Sequence, residues 1–427
     1  MDKFIVRGGK KLKGEVSVSG AKNASLALMP AALLASGISK LINTPQLNDV
    51  YTMMKLLKEL GVKAKFVREA SFGENDIVEL DTRNITSQVA PYEHVKKMRA
   101  SVYVLGPLLT RFGYAKVSLP GGCAWGPRPI NLHLEALKKM GAEIELTEGY
   151  IVTKSKKLKG AKINFDVSSV GATGNTLMAA SLAKGTTVIN NAAMEPEITN
   201  LAEFLSKMGA RIDGKGTSTL TIEGVDELNS SEIATIPDRI EAGTLLIAAA
   251  MTNGEITLTG ISDFYINSVI SKLEDSGCMI KADGDKIYLK SSGDIKPTDV
   301  TTSIFPGFPT DMQAQWTAYM SIAGGASKVT DTIYLDRFKH VPELVRLGAD
   351  IQVNENTAVI KGVKKLKGAK VMSTDLRASA SLVLAGLAAQ GTTEILRVYH
   401  LDRGYQRIEQ KLKVLGADIE RTAGAEF

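Results

Sequence analysis

Leu134-Glu135-Ala136-Leu137-Lys138-Lys139-Met140-Gly141-Ala142-Glu143-Ile144-Glu145-Leu146 reads as a helix running into a strand. Its apolar residues keep helical spacing as far as Met140 and alternate with period two after the glycine. The same pattern occurs six times. Val50, Met53, Met54, Leu57 and Leu60 lead into Gly61-Val62-Lys63-Ala64-Lys65-Phe66, and Ile198, Leu201, Ala202, Leu205 and Met208 lead into Gly209-Ala210-Arg211-Ile212. Further copies end at Gly277-Cys278-Met279-Ile280, Gly348-Ala349-Asp350-Ile351-Gln352-Val353 and Gly416-Ala417-Asp418-Ile419. The six glycines stand 80, 68, 68, 71 and 68 residues apart. A second series, closing helices rich in small residues at Gly37, Gly113, Gly185, Gly254, Gly325 and Gly391, keeps the same period. Both sets are expected to end helices in the left-handed conformation that glycine adopts most easily.

Each repeat of about 70 residues is therefore predicted as strand, buried helix, strand, amphipathic helix, strand. That is too long for the common helical solenoids, and propeller blades carry no helices. The inner helices, such as Leu177-Met178-Ala179-Ala180-Ser181-Leu182-Ala183, are apolar on nearly every face and belong inside a core walled by sheets. The expected fold class is α/β, with two domains of three repeats each and a change of domain near Pro237-Asp238-Arg239. Two lobes of like construction would leave a cleft for a ligand.

Composition narrows the function. The chain has 427 residues, 44% apolar and 23% charged, which excludes collagen-like, coiled-coil and largely disordered proteins. It contains no apolar run long enough for a membrane span, and Met1-Asp2-Lys3-Phe4-Ile5-Val6-Arg7 is not a secretory signal, so a cytoplasmic protein is expected. The net charge is +6, with aromatics at only 6%, a balance that favours small anionic substrates over nucleic acid. Four histidines and two cysteines show no metal-ligand spacing, and neither a dinucleotide fingerprint nor a P-loop is present.

Chemistry is sought where the repeats are broken. Leu119-Pro120-Gly121-Gly122-Cys123-Ala124-Trp125-Gly126-Pro127-Arg128-Pro129 has the glycine and proline density of an exposed lid loop. Arg128 would lower the pKa of the Cys123 thiol, although a bystander thiol fits the position as well. Cys278 takes the slot held by alanine in four sibling repeats and is read as core filler. Ser19-Gly20-Ala21-Lys22-Asn23 starts a helix that can present N–H groups and an ammonium to an anion, or simply a capped helix with a solvated lysine. Arg99, Arg337, Arg377 and Arg403 are further basic residues at helix starts, where Asp-Arg turns can also act only as caps. Asp311 is either a helix N-terminal acid or a base facing a substrate hydroxyl, and His133 either touches a ligand or settles a helix start.

Taken in order, Ser19 to Asn23, Gly121 to His133, Ser169-Val170-Gly171-Ala172-Thr173, Pro309 to Gln315, Thr374 to Ser379 and Asp402-Arg403-Gly404-Tyr405 resemble the UDP-N-acetylglucosamine 1-carboxyvinyltransferases, enolpyruvyl transferases of peptidoglycan synthesis. The resemblance runs essentially end to end, and the cysteine loop is its most specific motif. It implies two inside-out α/β barrels, one over 22–236 carrying the lid and one over 1–21 with 237–427, with the active site in the cleft between them. It implies transfer of the enolpyruvyl group of phosphoenolpyruvate to the 3′-hydroxyl of UDP-N-acetylglucosamine, with phosphate released and no metal or cofactor.

By the same resemblance Lys22, Arg128 and Arg403 would hold phosphoenolpyruvate, with Arg99 in support. Cys123 would be the acid and covalent thiol and the target of fosfomycin, and Asp311 the base. Asn23, Pro129, Ile130, Asn131, Leu132, His133, Val167, Ser168, Ser169, Val170, Gly171 and Ile333 would meet the UDP-sugar. Arg337, Asp375 and Arg377 match further charged positions. Val167 stands where no lysine is available for the diphosphate, and Asn131 replaces an aspartate common in the family. A 5-enolpyruvylshikimate-3-phosphate synthase and a catalytically silent scaffold are the alternative readings.

Overall fold

The computed structural model describes residues 2–68, 76–96, 98–119 and 130–423. The chain divides into two compact units, Gly20–Ile236 and Met1–Ser19 with Pro237–Phe427. Among the described residues each unit holds three four-stranded sheets, and each is an inside-out α/β barrel with helices enclosed by sheet.

One repeat shows the plan. Strand Lys162–Asn164 leads to the inner helix Val170–Ala180, strand Thr186–Asn190, the outer helix Pro196–Lys207 and a hairpin of Arg211–Asp213 with Thr219–Glu223. The first two strands pair in parallel and the rest antiparallel. The sequence reading missed the return strand of this hairpin. In the second repeat its turn is the two-residue Glu148-Gly149 loop, both residues at positive φ, which matches the twist of a tight hairpin.

Each ring of repeats is closed by a strand distant in sequence. Glu232–Ala234 pairs in parallel with Ile38–Ile42 within Gly20–Ile236. In the other unit Lys13–Ser17 runs parallel to Glu255–Thr259, while Asp2–Arg7 lies between Thr392–Leu396 and Asp418–Ala423. A helix-and-strand pattern read along the chain cannot show these pairings.

The inner helices are Lys22–Ala31, Leu105–Phe112 and Val170–Ala180 in one unit, and Arg239–Met251, Gln313–Met320 and Leu376–Ala388 in the other. From Ile240 to Met251 every residue is buried, so the apolar-all-round composition is satisfied by sheet on several sides. Each large aliphatic side chain so buried contributes about 1.5–3 kcal/mol.

All six glycines of the first series have φ between 92° and 111°, the left-handed helix ending the repeat reading requires. The second series divides. Gly113, Gly185 and Gly391 are left-handed, but Gly37, Gly254 and Gly325 are not, and in the fourth repeat Asn253 takes positive φ instead. Gly37 and Gly254 are needed for close approach, because a Cβ there would lie 2.4 Å from Ser230 Oγ and 2.5 Å from the Leu12 carbonyl oxygen. Cys278 is buried as expected, and burial pushes its thiol pKa up. No helix among the described residues is long and apolar enough to cross a membrane.

Candidate active site

In the unit Gly20–Ile236 the expected residues gather at the starts of the inner helices. Lys22 is the first residue of Lys22–Ala31, whose N-cap, Ala21, offers no side-chain hydrogen bond. The backbone reaches this point through Gly20, where a Cβ would fall 1.7 Å from the Asn43 carbonyl oxygen. Lys22 Nζ pairs with Asp49 at 3.1 Å, with both side chains largely buried. Asp49 opens the neighbouring helix Asn48–Glu59 and looks in sequence like an ordinary N-terminal acid, so its role was missed. Asn23 is exposed beside Lys22.

Arg99 begins the short turn Arg99–Val104. Its charge reaches His133, a buried residue of the helix Asn131–Lys139. Burial first, and Arg99 second, push the His133 pKa down to about 4, so the imidazole is neutral. Ser169 caps Val170–Ala180 by accepting from the Ala172 N–H at 3.3 Å. Tyr103 donates to the Val170 carbonyl at 3.3 Å and packs on this helix at Gly174. Val167 is exposed and Ser168 half-buried on the approach to the cap. Ile130 and Leu132 are half-buried, and Asn131 is exposed. Cys123, Arg128 and Pro129 lie outside the described residues.

In the other unit Asp311 is the centre. It sits on the turn Thr310–Met312 and receives Arg337 Nη1 on one carboxylate oxygen and Arg377 Nη2 on the other, each at 2.8 Å. Asp311 is the first-turn acid that the sequence suggests, and its carboxylate is also held between two guanidiniums from different elements. Asp375 does cap its helix, accepting from the N–H groups of Arg377 and Ala378 at 2.9 and 3.1 Å. Arg377 is only 3% exposed. Burial opposes its charge most strongly, but Asp311, Tyr405 and Asp238 together outweigh it and raise its pKa. Its guanidinium also lies over the Tyr405 ring, 5.3 Å from the centroid. Tyr405 in turn meets Thr244 Oγ1 at 3.0 Å and receives Gln315 Nε2 at 3.1 Å.

A further organiser was not legible in sequence. Asp331, fully buried, accepts from Thr302 and Thr310 hydroxyls at 2.8 and 2.7 Å and from the backbone N–H groups of Ile333 and Tyr334, both at 2.9 Å. It thus shapes the loop that exposes Ile333 and ties it to Thr310, which also receives Arg337 at 3.0 Å. Arg403 ends the turn Val398–Arg403. Its neighbour Asp402 does not cap a helix; it takes both terminal nitrogens of Arg421, one at 3.0 Å and the other at 2.5 Å. Among the described residues no group of three or more histidine, cysteine or carboxylate side chains has the arrangement of a metal site.

The arrangement suits anion chemistry. One unit presents Lys22 and Arg99 beside helix-start N–H groups, and the other presents a carboxylate poised among arginines.

Comparison with known proteins agrees. Residues 6–412 match the EPSP synthase family, described as 3-phosphoshikimate 1-carboxyvinyltransferase. The chain is 57% identical over 430 residues to a UDP-N-acetylglucosamine 1-carboxyvinyltransferase of Chloroherpeton thalassium, covering 100% of this chain and 99% of that one. A protein of the same name from Chlorobium luteolum is 56% identical over the full length of both chains. Among solved structures, the enolpyruvyl transferase NikO of Streptomyces tendae superposes with a TM-score of 0.88 at 24% identity, covering 99% of each chain. An EPSP synthase of Acinetobacter baumannii gives 0.74 at 20% identity, covering 99% of this chain and 100% of that chain. These two structures support the fold.

Proposed function

Since the chain belongs to the EPSP synthase family of carboxyvinyltransferases, we propose that it moves the enolpyruvyl group of phosphoenolpyruvate onto the 3′-hydroxyl of UDP-N-acetylglucosamine, releasing phosphate. It is a transferase. The observation that carries the choice of acceptor is the 57% identity, over the whole chain, to a relative of that name. The shikimate-phosphate alternative is not favoured, because the full-length relatives at 56–57% identity carry the UDP-N-acetylglucosamine name.

The chemistry accounts for the residue types. A proton added to the methylene carbon of phosphoenolpyruvate leaves its neighbour electron-poor, and the sugar hydroxyl adds there as its own proton departs. The resulting carbon bears phosphate, carboxylate and the new ether oxygen. Loss of phosphate, with a proton from the methyl group, restores the double bond. Atoms and electrons balance without a redox partner, and by the resemblance to the carboxyvinyltransferases we propose that no metal or cofactor takes part.

We assign Cys123 as the acid and covalent thiol on a lid belonging to the 22–236 lobe, and Lys22, Arg128 and Arg403 as holders of phosphoenolpyruvate, aided by Arg99. Asp311 is the base for the hydroxyl, with Arg337, Asp375 and Arg377 around it. The UDP-sugar would be met by Asn23, the 129–133 segment, the 167–171 segment and Ile333. A role in peptidoglycan synthesis, in the cytoplasm, follows from these substrates.

The two guanidiniums on Asp311 support this reading by fixing the position and orientation of a carboxylate among cations. The test is phosphate release from phosphoenolpyruvate with UDP-N-acetylglucosamine or shikimate 3-phosphate as acceptor. Release only with the UDP-sugar is expected; release only with shikimate 3-phosphate, or none from folded protein, would overturn it.

A further inference from the structure

Asn175 is fully buried in the inner helix Val170–Ala180, and its amide can stand only one way round. The Gly106 N–H donates to its Oδ1 at 2.7 Å, so Oδ1 is the acceptor and Nδ2 carries the hydrogens. One hydrogen goes to the Val102 carbonyl at 2.9 Å, and the other points at His133 Nδ1, 3.0 Å away. A ring nitrogen that receives a hydrogen bond holds no proton. His133 is neutral, so its single N–H sits on Nε2.

That Nε2 faces the start of the same helix. A Cβ built on Gly171 would lie 3.0 Å from both Cε1 and Nε2 of His133, so a residue with a side chain could not stand there without displacing the ring. No hydrogen bond from His133 Nε2 to another described residue is present, although the residue is only 2% exposed. A donor on a nearly buried residue, without an acceptor among the described residues and set beside the helix-start N–H groups, is half of an anion site whose other half is the ligand.

We infer that Asn175 is a positioning residue: it fixes His133 as a neutral Nε2–H donor beside Gly171, where that donor takes an oxygen of the acceptor's diphosphate. The inference rests on the reading that 167–171 holds the nucleotide. The opposite tautomer would turn a lone pair toward the same oxygen, replacing one attraction with a repulsion. Asn175 thus acts on the UDP-sugar through His133 and leaves phosphoenolpyruvate alone. In sequence it is one polar residue inside an apolar helix, with nothing to mark it.

Two measurements on the whole enzyme test this. The first uses unmodified protein with 15N-labelled histidine rings, the His133 signals being identified by their loss in His133→Gln. A protonated Nε2, an unprotonated Nδ1 and movement of the Nε2–H signal on adding UDP-N-acetylglucosamine, though not phosphoenolpyruvate alone, are expected. The second compares Asn175→Leu with wild type. Loss of a single tautomer and a KM for the UDP-sugar raised about tenfold, with the phosphoenolpyruvate KM unchanged, are expected from losing one charge-assisted hydrogen bond.

A proton on Nδ1 in the unmodified enzyme would overturn the inference, even if Asn175→Leu fails to fold. So would a lost tautomer with both KM values unchanged. Failure of the functional reading would show separately, as folded wild type that releases no phosphate with the UDP-sugar; that result would sink the ligand half of the inference.

Discussion

Replacing Asp311 with asparagine removes a charge and almost no volume, so its consequences can be worked out from the contacts. Arg337 and Arg377 each reach the carboxylate at 2.8 Å, and Arg377 is 3% exposed with its Nη1 buried and without a hydrogen-bond partner among the described residues. The substituted amide can still accept one hydrogen bond but leaves the Arg377 charge without its ion-pair partner. Breaking a buried ion pair from one side costs about 3–5 kcal/mol, and the retained hydrogen bond places this case near about 3 kcal/mol. Removing a general base lowers kcat by about 10²–10⁴-fold. Arg377→Met alone leaves Asp311 its Arg337 partner and a quarter of its side chain in solvent, so it costs less. In the Asp311→Asn background the same change removes the stranded cation and is expected to be neutral or stabilising, a coupling of about 2 kcal/mol. Stability is read by urea unfolding through Trp316, which is buried in the same unit, and turnover by phosphate release. Asp311→Asn with kcat within tenfold of wild type would refute the base assignment. Arg377→Met equally damaging in both backgrounds would refute the electrostatic argument.

Burial, and then the Arg337 charge, push the His340 pKa down to about 3. Its folded value lies below the unfolded one of about 6.5, so the stability it allows is complete above about pH 6.5 and is lost as pH falls toward about 3. At about pH 5 that loss is about 2 kcal/mol, and His340→Leu should remove it, measured as a smaller fall in urea midpoint between about pH 7.5 and about pH 5. Cys123→Asp keeps a proton donor and discards the nucleophile; turnover without a covalent phosphoenolpyruvate adduct, and resistance to fosfomycin, are expected, and mass spectrometry with a rate assay checks both. Lys411 pairs with Glu241, both almost wholly buried, and also donates to the Ser17 carbonyl at 3.0 Å and the Ser19 hydroxyl at 2.7 Å. Lys411→Met should therefore cost about 3–5 kcal/mol by stranding Glu241, and a cost under about 1 kcal/mol in denaturant titration would contradict it.

Much of the architecture was readable from the chain alone because it is periodic. A stripe at helical spacing, a left-handed glycine and an alternating strand are local, and six copies make the signal unmistakable. The cysteine loop and the SGAKN helix start were legible as departures from that period. The hairpin return strands, five residues each, were missed because no helix-ending glycine announces them, and the division of the second glycine series because close approach to Ser230 or Leu12 leaves no mark in the local sequence.

What the sequence could not contain is which polar residues meet. Asp49 reads as a helix-start acid and becomes the partner of Lys22; Asp331 reads as nothing and shapes a loop; Arg421, near the end of the chain, holds Asp402 beside Arg403. Asn175 fixes a histidine proton from 42 residues away. Burial in a helix or strand follows from period, which a chain carries in its order. A hydrogen bond needs two groups within about 3 Å at a suitable angle, and only the folded chain brings residues from separate repeats that close.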